Sequence, residues 1–249
     1  MKRKFWQKEW QGINFSELDI KLNFFKAASS DFYSKFYNEL FCRYNSYEDL
    51  PSLWRQEKSS TANAIAKIIS EQSLVLSIGC GLGFVEKEIV SQLSKLSIDA
   101  FDFSETANKW LLDVDRVNTL QSLEKNKKYN FIYCTQLLYA LSNDEIFEFS
   151  TIVKERLSRG GKFMTVDTSI NPIENGIEAY SDNKSIKLQL MNIVSLFYLF
   201  LMRRKIVQFW GWQRNNNELI RIFLMNGFTL VKDFPCVEQS FLIFEVDEL

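Results

Sequence analysis

Histidine is absent from the 249 residues. Its absence removes every mechanism that needs an imidazole: Ser-His-Asp and Cys-His nucleophile systems, His-liganded metals and the usual neutral general base. Cysteine is sparse, and Cys42, Cys80, Cys134 and Cys236 stand far apart with no two at metal-ligand spacing. That argues against a zinc site or a CxxC pair and for thiols in a reducing compartment. A charge excess of one sign is also missing, since 30 Lys and Arg face 31 Asp and Glu. No broad attraction to nucleic acid or anionic lipid follows from so even a balance. Long hydrophobic runs are lacking too. Only Leu188 to Met202 approaches membrane-like apolarity, and as a helix it spans about 22 Å against a ~30 Å hydrocarbon core. The basic start, Met1-Lys2-Arg3-Lys4, passes through Phe5 and Trp6 into Gln7, Lys8 and Glu9 without the apolar centre of a signal peptide. A cytoplasmic protein with no stable membrane span is expected.

What is present, 46% hydrophobic and 24% charged residues, belongs to a soluble globular chain. Residues 1–70 carry no strand signal. Phe24, Phe25, Phe32, Phe36, Tyr37 and Phe41 recur at spacings near three and four, predicting a helical N-terminal cap. Tyr47 to Pro51 breaks it with turn chemistry, and a second helix is expected over Ser60 to Ile69. From Leu74 short apolar runs alternate with amphipathic stretches, the signature of strand-helix units feeding a parallel sheet. Strands are predicted at Leu74 to Ile78, Leu96 to Phe101, Arg116 to Leu120, Phe131 to Cys134 and Lys162 to Val166. Helices are expected after Gly83, from an N-cap at Ser104, and from the capping box Ser142-Asn143-Asp144-Glu145 to a stop at Gly160-Gly161. A last helix, Asn217 to Met225, ends at Asn226-Gly227. Phe228 to Lys232 and Phe241 to Val246 then form an antiparallel pair at the sheet edge. The expected organisation is a cap over 1–70, an α/β core over 71–168, an insertion over 169–216, and a helix with a strand pair over 217–249 completing the core.

The densest chemical signal is Val75-Leu76-Ser77-Ile78-Gly79-Cys80-Gly81-Leu82-Gly83. Closely spaced glycines after a strand let a ligand approach the backbone and meet amides at the next helix N-terminus. A dinucleotide G-x-G-x-x-G beginning at Gly79 would need glycine where Phe84 stands. This weakens a nicotinamide-dependent oxidoreductase reading.

The run closely resembles the first motif of the class I S-adenosylmethionine-dependent methyltransferases. The resemblance implies a Rossmann-like α/β fold with a seven-stranded, mostly parallel sheet and a C-terminal antiparallel strand. It also implies S-adenosylmethionine as cofactor, S-adenosylhomocysteine as product, and no metal. On this resemblance Ser77, Gly79, Cys80, Gly81 and Gly83 wrap the amino-acid part of the cofactor. Asp102, 19 residues after Gly83, accepts hydrogen bonds from the ribose hydroxyls, a role that suits a carboxylate facing a diol. Phe103 lies against the adenine, and Ser122 and Leu123 border its edge. The stretch Phe131 to Leu141, with Cys134, Gln136 and Tyr139, resembles the segment that passes beneath the cofactor and faces the acceptor. Arg159-Gly160-Gly161 stands where the family usually has Pro-Gly-Gly.

Ser77 departs from the family, which usually places Asp or Glu there to hold the cofactor's ammonium group. A serine accepts a hydrogen bond without charge, so cofactor binding weaker by about 1 kcal/mol or more is expected. Trp54, Arg55 and Lys58 of the cap are candidates to share that task; simple packing of the cap is the alternative.

Methyl transfer is a displacement at an already activated sulfonium carbon, so alignment and exclusion of water matter most and a strong base is optional. Without histidine, Asp167, Tyr139 and Glu178 remain as candidate bases. Acceptor contacts are expected from Tyr139, from Tyr180 in the insertion, and from Trp210, Trp212 and Arg214 of the run Gln208 to Arg214. An aromatic lid packed onto the cap is the other reading of that run. Leu188 to Lys205, mostly apolar with a basic end, suits a peripheral membrane contact, a buried lid helix or a dimer contact. The expected activity is methylation of a small-molecule or glycan acceptor, with a sugar hydroxyl first and a small amine second. A catalytically silent binding or partner protein on the same fold is the rival reading. Nucleic acid is not an expected partner, and the oligomeric state is left open.

Overall fold

The computed structural model describes residues 4–7, 9–15, 17–18, 28–168, 208–212, 214–236 and 239–246. Short strands β1 (Lys4–Gln7), β2 (Glu9–Trp10) and β3 (Ile13–Asn14) precede helices α1 (Ser30–Arg43) and α2 (Ser52–Ala66). The core follows as β4 (Val75–Ile78), α3 (Phe84–Gln92), β5 (Ile98–Phe101), β6 (Val117–Leu120), β7 (Tyr129–Thr135), α4 (Asn143–Arg156) and β8 (Leu157–Thr168). Strand β9 (Gln208–Trp212), helix α5 (Asn216–Met225), and strands β10 (Phe228–Cys236) and β11 (Gln239–Val246) complete it.

The main sheet has seven strands in the order β10-β11-β8-β7-β4-β5-β6. Strands β8, β7, β4, β5 and β6 run parallel, whereas β11 is antiparallel to both β8 and β10. All four residues of β4 are buried, because both faces of the sheet are covered. Val75, Tyr133 and Ala100 pack with α2 and α3 on one face. Leu76, Ile78 and Ile132 pack with α4 and α5 on the other. The chain moves from β4 outward to β5 and β6 and then returns to β7 on the opposite side. Strand order therefore reverses at β4, and a crevice opens at its carboxyl end.

Both core helices on the second face start as the sequence specifies. In α4 the Ser142 hydroxyl accepts from Glu145 N at 3.2 Å while Glu145 Oε2 accepts from Ser142 N at 2.7 Å. Asn215 and Glu218 make the same reciprocal box at α5.

Four expectations are corrected. The cap contains strands: β1 pairs antiparallel with β9, and β2 pairs with β3. Helix α2 begins at Ser52, directly after Pro51, whose missing N–H costs nothing at a helix start. No α-helix forms from Ser104. Its amide donates instead to the Asp102 carboxylate at 2.8 Å, and only a 3₁₀ turn, Lys109–Asp113, follows. Finally, α4 ends at Arg156 and β8 begins at once, running through Gly160-Gly161. There the register with β7 shifts. A Cβ on Gly161 would lie 2.9 Å from Ser158 O and 3.0 Å from Tyr129 O, so the strand turns through a point that only glycine fits.

A third cluster roofs the crevice. Phe32, Phe36, Tyr37 and Leu40 of α1 pack with Phe15, Tyr47, Leu82, Phe84 and Trp210. No helix among the described residues is long and apolar enough to cross a membrane. Leu188 to Lys205 lies outside the described residues.

Candidate active site

The crevice holds a cavity of about 1070 Å³, floored by the glycine loop and by Thr135 to Leu137, and roofed by α1. The loop leaves β4 with Gly79 N donating to Phe101 O at 2.7 Å. Gly79, Gly81 and Gly83 all have positive φ, at 75°, 55° and 75°. A Cβ on Gly79 would press on Leu137 at 3.1 Å, and one on Gly81 would meet the Tyr37 hydroxyl at 2.9 Å. Glycine is required here both by backbone conformation and by space.

Asp102 stands at the carboxyl end of β5 on the cavity wall. Oδ2 accepts from Gly81 N and Oδ1 from Ser104 N, each at 2.8 Å. Burial raises its carboxyl above the ordinary value, and these two amides oppose the rise. Each oxygen keeps a lone pair for a ligand hydroxyl. Phe103 beside it is 58% exposed although it lies against the cavity and edges Phe101 at 5.1 Å. An apolar ring left uncovered in a cleft is a surface prepared for a flat partner.

Ser77 does not reach the cavity wall. Its hydroxyl donates to Glu86 Oε1 of α3 at 2.6 Å, and the Tyr133 hydroxyl donates to the same oxygen at 2.8 Å. From the cap, Lys58 does reach the wall, donating to Gln136 Oε1 at 2.5 Å. Gln136 in turn donates to Glu57, which also accepts from Gln239 at 2.6 Å. This chain of hydrogen bonds fixes α2 over β7 and β11. Trp54 lines the cavity beside Lys58, whereas Arg55 faces a separate depression between α2 and α3.

Tyr33, Tyr139 and Trp212 also line the cavity. Tyr33 and Trp210 lie beside Tyr139, and burial pushes that phenol up to about 12. Trp210 is 3% exposed and stacks on Tyr139 at 6.3 Å. It sits behind the wall, in the lid-packing arrangement that was the alternative to ring stacking. Arg214 donates to Leu138 O, Leu141 O and Asn143 Oδ1, bracing the turn that carries Tyr139. Burial lowers its guanidinium to about 10. Asp167 is buried behind Thr165, whose hydroxyl donates to Oδ2, while Oδ1 has no partner among the described residues. Burial raises this carboxyl to about 6.

The structure therefore brings Gly79, Cys80, Gly81, Gly83, Asp102, Phe103, Gln136, Tyr139 and Trp212 to one cavity. Ser77, Ser122, Leu123, Cys134, Asp167, Trp210 and Arg214 lie off its wall, and Glu178 and Tyr180 fall outside the described residues. Sequence reasoning missed Tyr33, Trp10 and Glu86. Tyr33 and Tyr37 share a face of α1 at i, i+4 spacing, and their rings lie 6.2 Å apart; that spacing was the available signal.

No family model matches the chain, and no curated protein sequence matches it. Solved structures do. The mitomycin 7-O-methyltransferase MmcR superposes with a TM-score of 0.57 at 13% identity, over 87% of this chain and 57% of that one. Human N-acetylserotonin methyltransferase, in complex with SAM, does so with 0.57 at 12%, over 88% and 56%. Magnesium protoporphyrin IX methyltransferase from Synechocystis PCC 6803, with bound SAH, gives 0.57 at 12%, over 86% and 96%.

This is the class I S-adenosylmethionine-dependent methyltransferase fold.

The chain spans less than three-fifths of the length of the first two of these structures. Within the methyltransferase fold, the reversal of strand order at β4 puts the glycine loop, Asp102 and Phe103 around one crevice. The cap and β9 are the parts that close it.

Proposed function

We propose that this chain is an S-adenosylmethionine-dependent methyltransferase acting on a hydroxyl of a small molecule, with a sugar or glycan hydroxyl as the leading acceptor. The observation that carries the reading is the joint presence, on one cavity, of a glycine cradle, a two-oxygen acceptor at Asp102 and an uncovered ring at Phe103. Those three fit the amino-acid, ribose and adenine parts of the cofactor in turn. When bound, S-adenosylmethionine supplies a methyl group on a positively charged sulfur.

The chain's own residues then have three tasks. Gly79 to Gly83 and Asp102 hold the ligand against the floor. Tyr33, Tyr37 and Trp212 exclude water, which strengthens the electrostatic interactions inside. Tyr139, whose phenol burial keeps protonated up to about 12, offers its O–H to the acceptor oxygen. It can orient that oxygen as a donor. Asp167, one layer behind and raised to about 6, is the candidate to take the acceptor's proton.

The aromatic wall at Trp10, Tyr33 and Trp212 favours an acceptor with a flat or apolar face. The apolar face of a sugar ring meets this, as does a planar ring. Calorimetric titration with S-adenosylmethionine and S-adenosylhomocysteine, with NAD as control, tests the cofactor. Saturable binding of the two sulfur compounds, abolished in Asp102→Ala, is the expected result. Binding of NAD alone would overturn it. Acceptor screening by release of S-adenosylhomocysteine then starts with sugars, followed by phenols and amines.

A further inference from the structure

Ser77 stands where a carboxylate is expected, and the nearest carboxylate, Glu86, lies against it. Glu86 is 1% exposed and grows from the first turn of α3, directly after the glycine loop. One of its oxygens takes both the Ser77 and Tyr133 hydroxyls. The other, Oε2, is buried and has no hydrogen-bond partner among the described residues. Hydrogen-bond donors gathered on one oxygen favour the ionised form, and an ionised oxygen left bare in the interior costs free energy until a cation meets it.

Glu86, like Ser77, lies behind the cavity wall, but two of its neighbours are on it. Cys80, in the loop, and Lys58, from the cap, both line the cavity and both interact electrostatically with Glu86. Lys58 is close enough to be influenced by Glu86, but its ammonium is bonded to Gln136. A buried anion and a buried cation thus flank the loop, the charge pattern complementary to a zwitterion.

Resting on the cofactor reading above, we propose that Glu86 supplies from α3 the negative charge that β4 lacks at Ser77, and that this charge selects the α-ammonium group of the cofactor. Ser77 then acts as a positioning residue, fixing Oε1 so that Oε2 remains the free oxygen. The loss of cofactor affinity expected from serine is offset by a carboxylate that has changed its element and kept its place.

The test compares S-adenosylhomocysteine with its analogue lacking the amino group, by calorimetry. Wild type is expected to prefer the amino form by about ten-fold or more, the effect of one charge-assisted hydrogen bond. Glu86→Gln loses that preference while binding the analogue within about two-fold of wild type, and adding Ser77→Asp to it restores the preference. A Glu86→Gln protein that is folded by circular dichroism and still prefers the amino form overturns the proposal. So does a wild type that binds both compounds equally, which leaves the cofactor reading standing. A wild type that binds neither overturns both.

If the variants do not fold, the wild type decides. Burial raises the Glu86 carboxyl, so the preference should weaken on acidification, as the carboxylate gains its proton. Of the other titratable groups facing it, burial raises Tyr47, Cys80 and Tyr133 and lowers the Lys58 ammonium. A preference that strengthens on acidification overturns the proposal, as does a wild type with no preference at any pH.

Discussion

Gly83 and Leu111 compete for one space: a Cβ on Gly83 would lie 2.0 Å from Leu111 Cγ. Leu111 is fully buried under the loop, so the side chain that closes the core on one side sets the shape of the cradle on the other. Gly83→Ala meets both this collision and a φ of +75°. It is expected to cost about 3 kcal/mol, from overpacking plus the left-handed penalty. Gly160→Ala is the control, because Gly160 has φ +68° but no atom within 4 Å of its Cβ position. Only about 1 kcal/mol is expected there. Urea unfolding of the two variants checks the difference, and equal losses would refute the packing term.

The two tryptophans of β9 should separate cleanly. Trp210 is nearly inaccessible, with ring contacts to Trp10, Phe15, Phe32, Tyr33 and Tyr139. Trp210→Ala is expected to destabilise by about 3–5 kcal/mol. Trp212 is half-buried on the cavity wall. Trp212→Ala should leave the melting temperature within a few degrees and raise KM for the acceptor. A large stability loss at Trp212 would show that it, too, is only packing.

Phe103 offers the opposite combination of burial and use. With more than half its surface exposed, Phe103→Ala should be nearly neutral for stability. It should weaken S-adenosylhomocysteine binding by about ten-fold, corresponding to the loss of one aromatic stack. Unchanged affinity by calorimetry would remove Phe103 from the site.

Asp167 gives a pH signature. Its carboxyl is raised from 3.8 to about 6, chiefly by burial, so the folded protein holds this proton more tightly than the unfolded chain does. The sign follows directly. Its contribution is most favourable below pH 3.8, falls as pH rises through the interval to 6, and is flat above. The loss is on the order of 3 kcal/mol. Asp167→Asn should remove that slope, as read from urea unfolding midpoints between about pH 4.5 and 7.5. An unaltered slope would assign it elsewhere.

Much of this was legible in the sequence, and the reasons differ by region. The strand-helix alternation after Leu74 and the edge pair near the end follow from short apolar runs, which a sheet buried on both faces enforces, set between helices of 3.6-residue period. The glycine loop and Asp102 were legible because backbone conformation and spacing are local properties. The cap was not. Its strands β1 to β3 are two to four residues long, too short to show a period, and β1 finds its partner only at β9. The helix expected at Ser104 was lost to an aspartate two residues before it, whose carboxylate took the amide. Glu86 was invisible for a related reason: as one charged residue in an amphipathic helix it reads as surface, and only the fold turns it beneath the loop.

The β1–β9 ladder also fixes an order of events. The parallel strands find their partners within the stretch from β4 to β8, and β11 adds to β8 near the end. By contrast, β1 pairs with residues from the far end of the chain. Closing so long a loop is entropically the dearest of the pairings among the described strands and comes late. On the ribosome, β1 waits unpaired until the chain has been made as far as β9. The floor that holds the glycine cradle is thus able to form well before the roof that gives Tyr139 its neighbours.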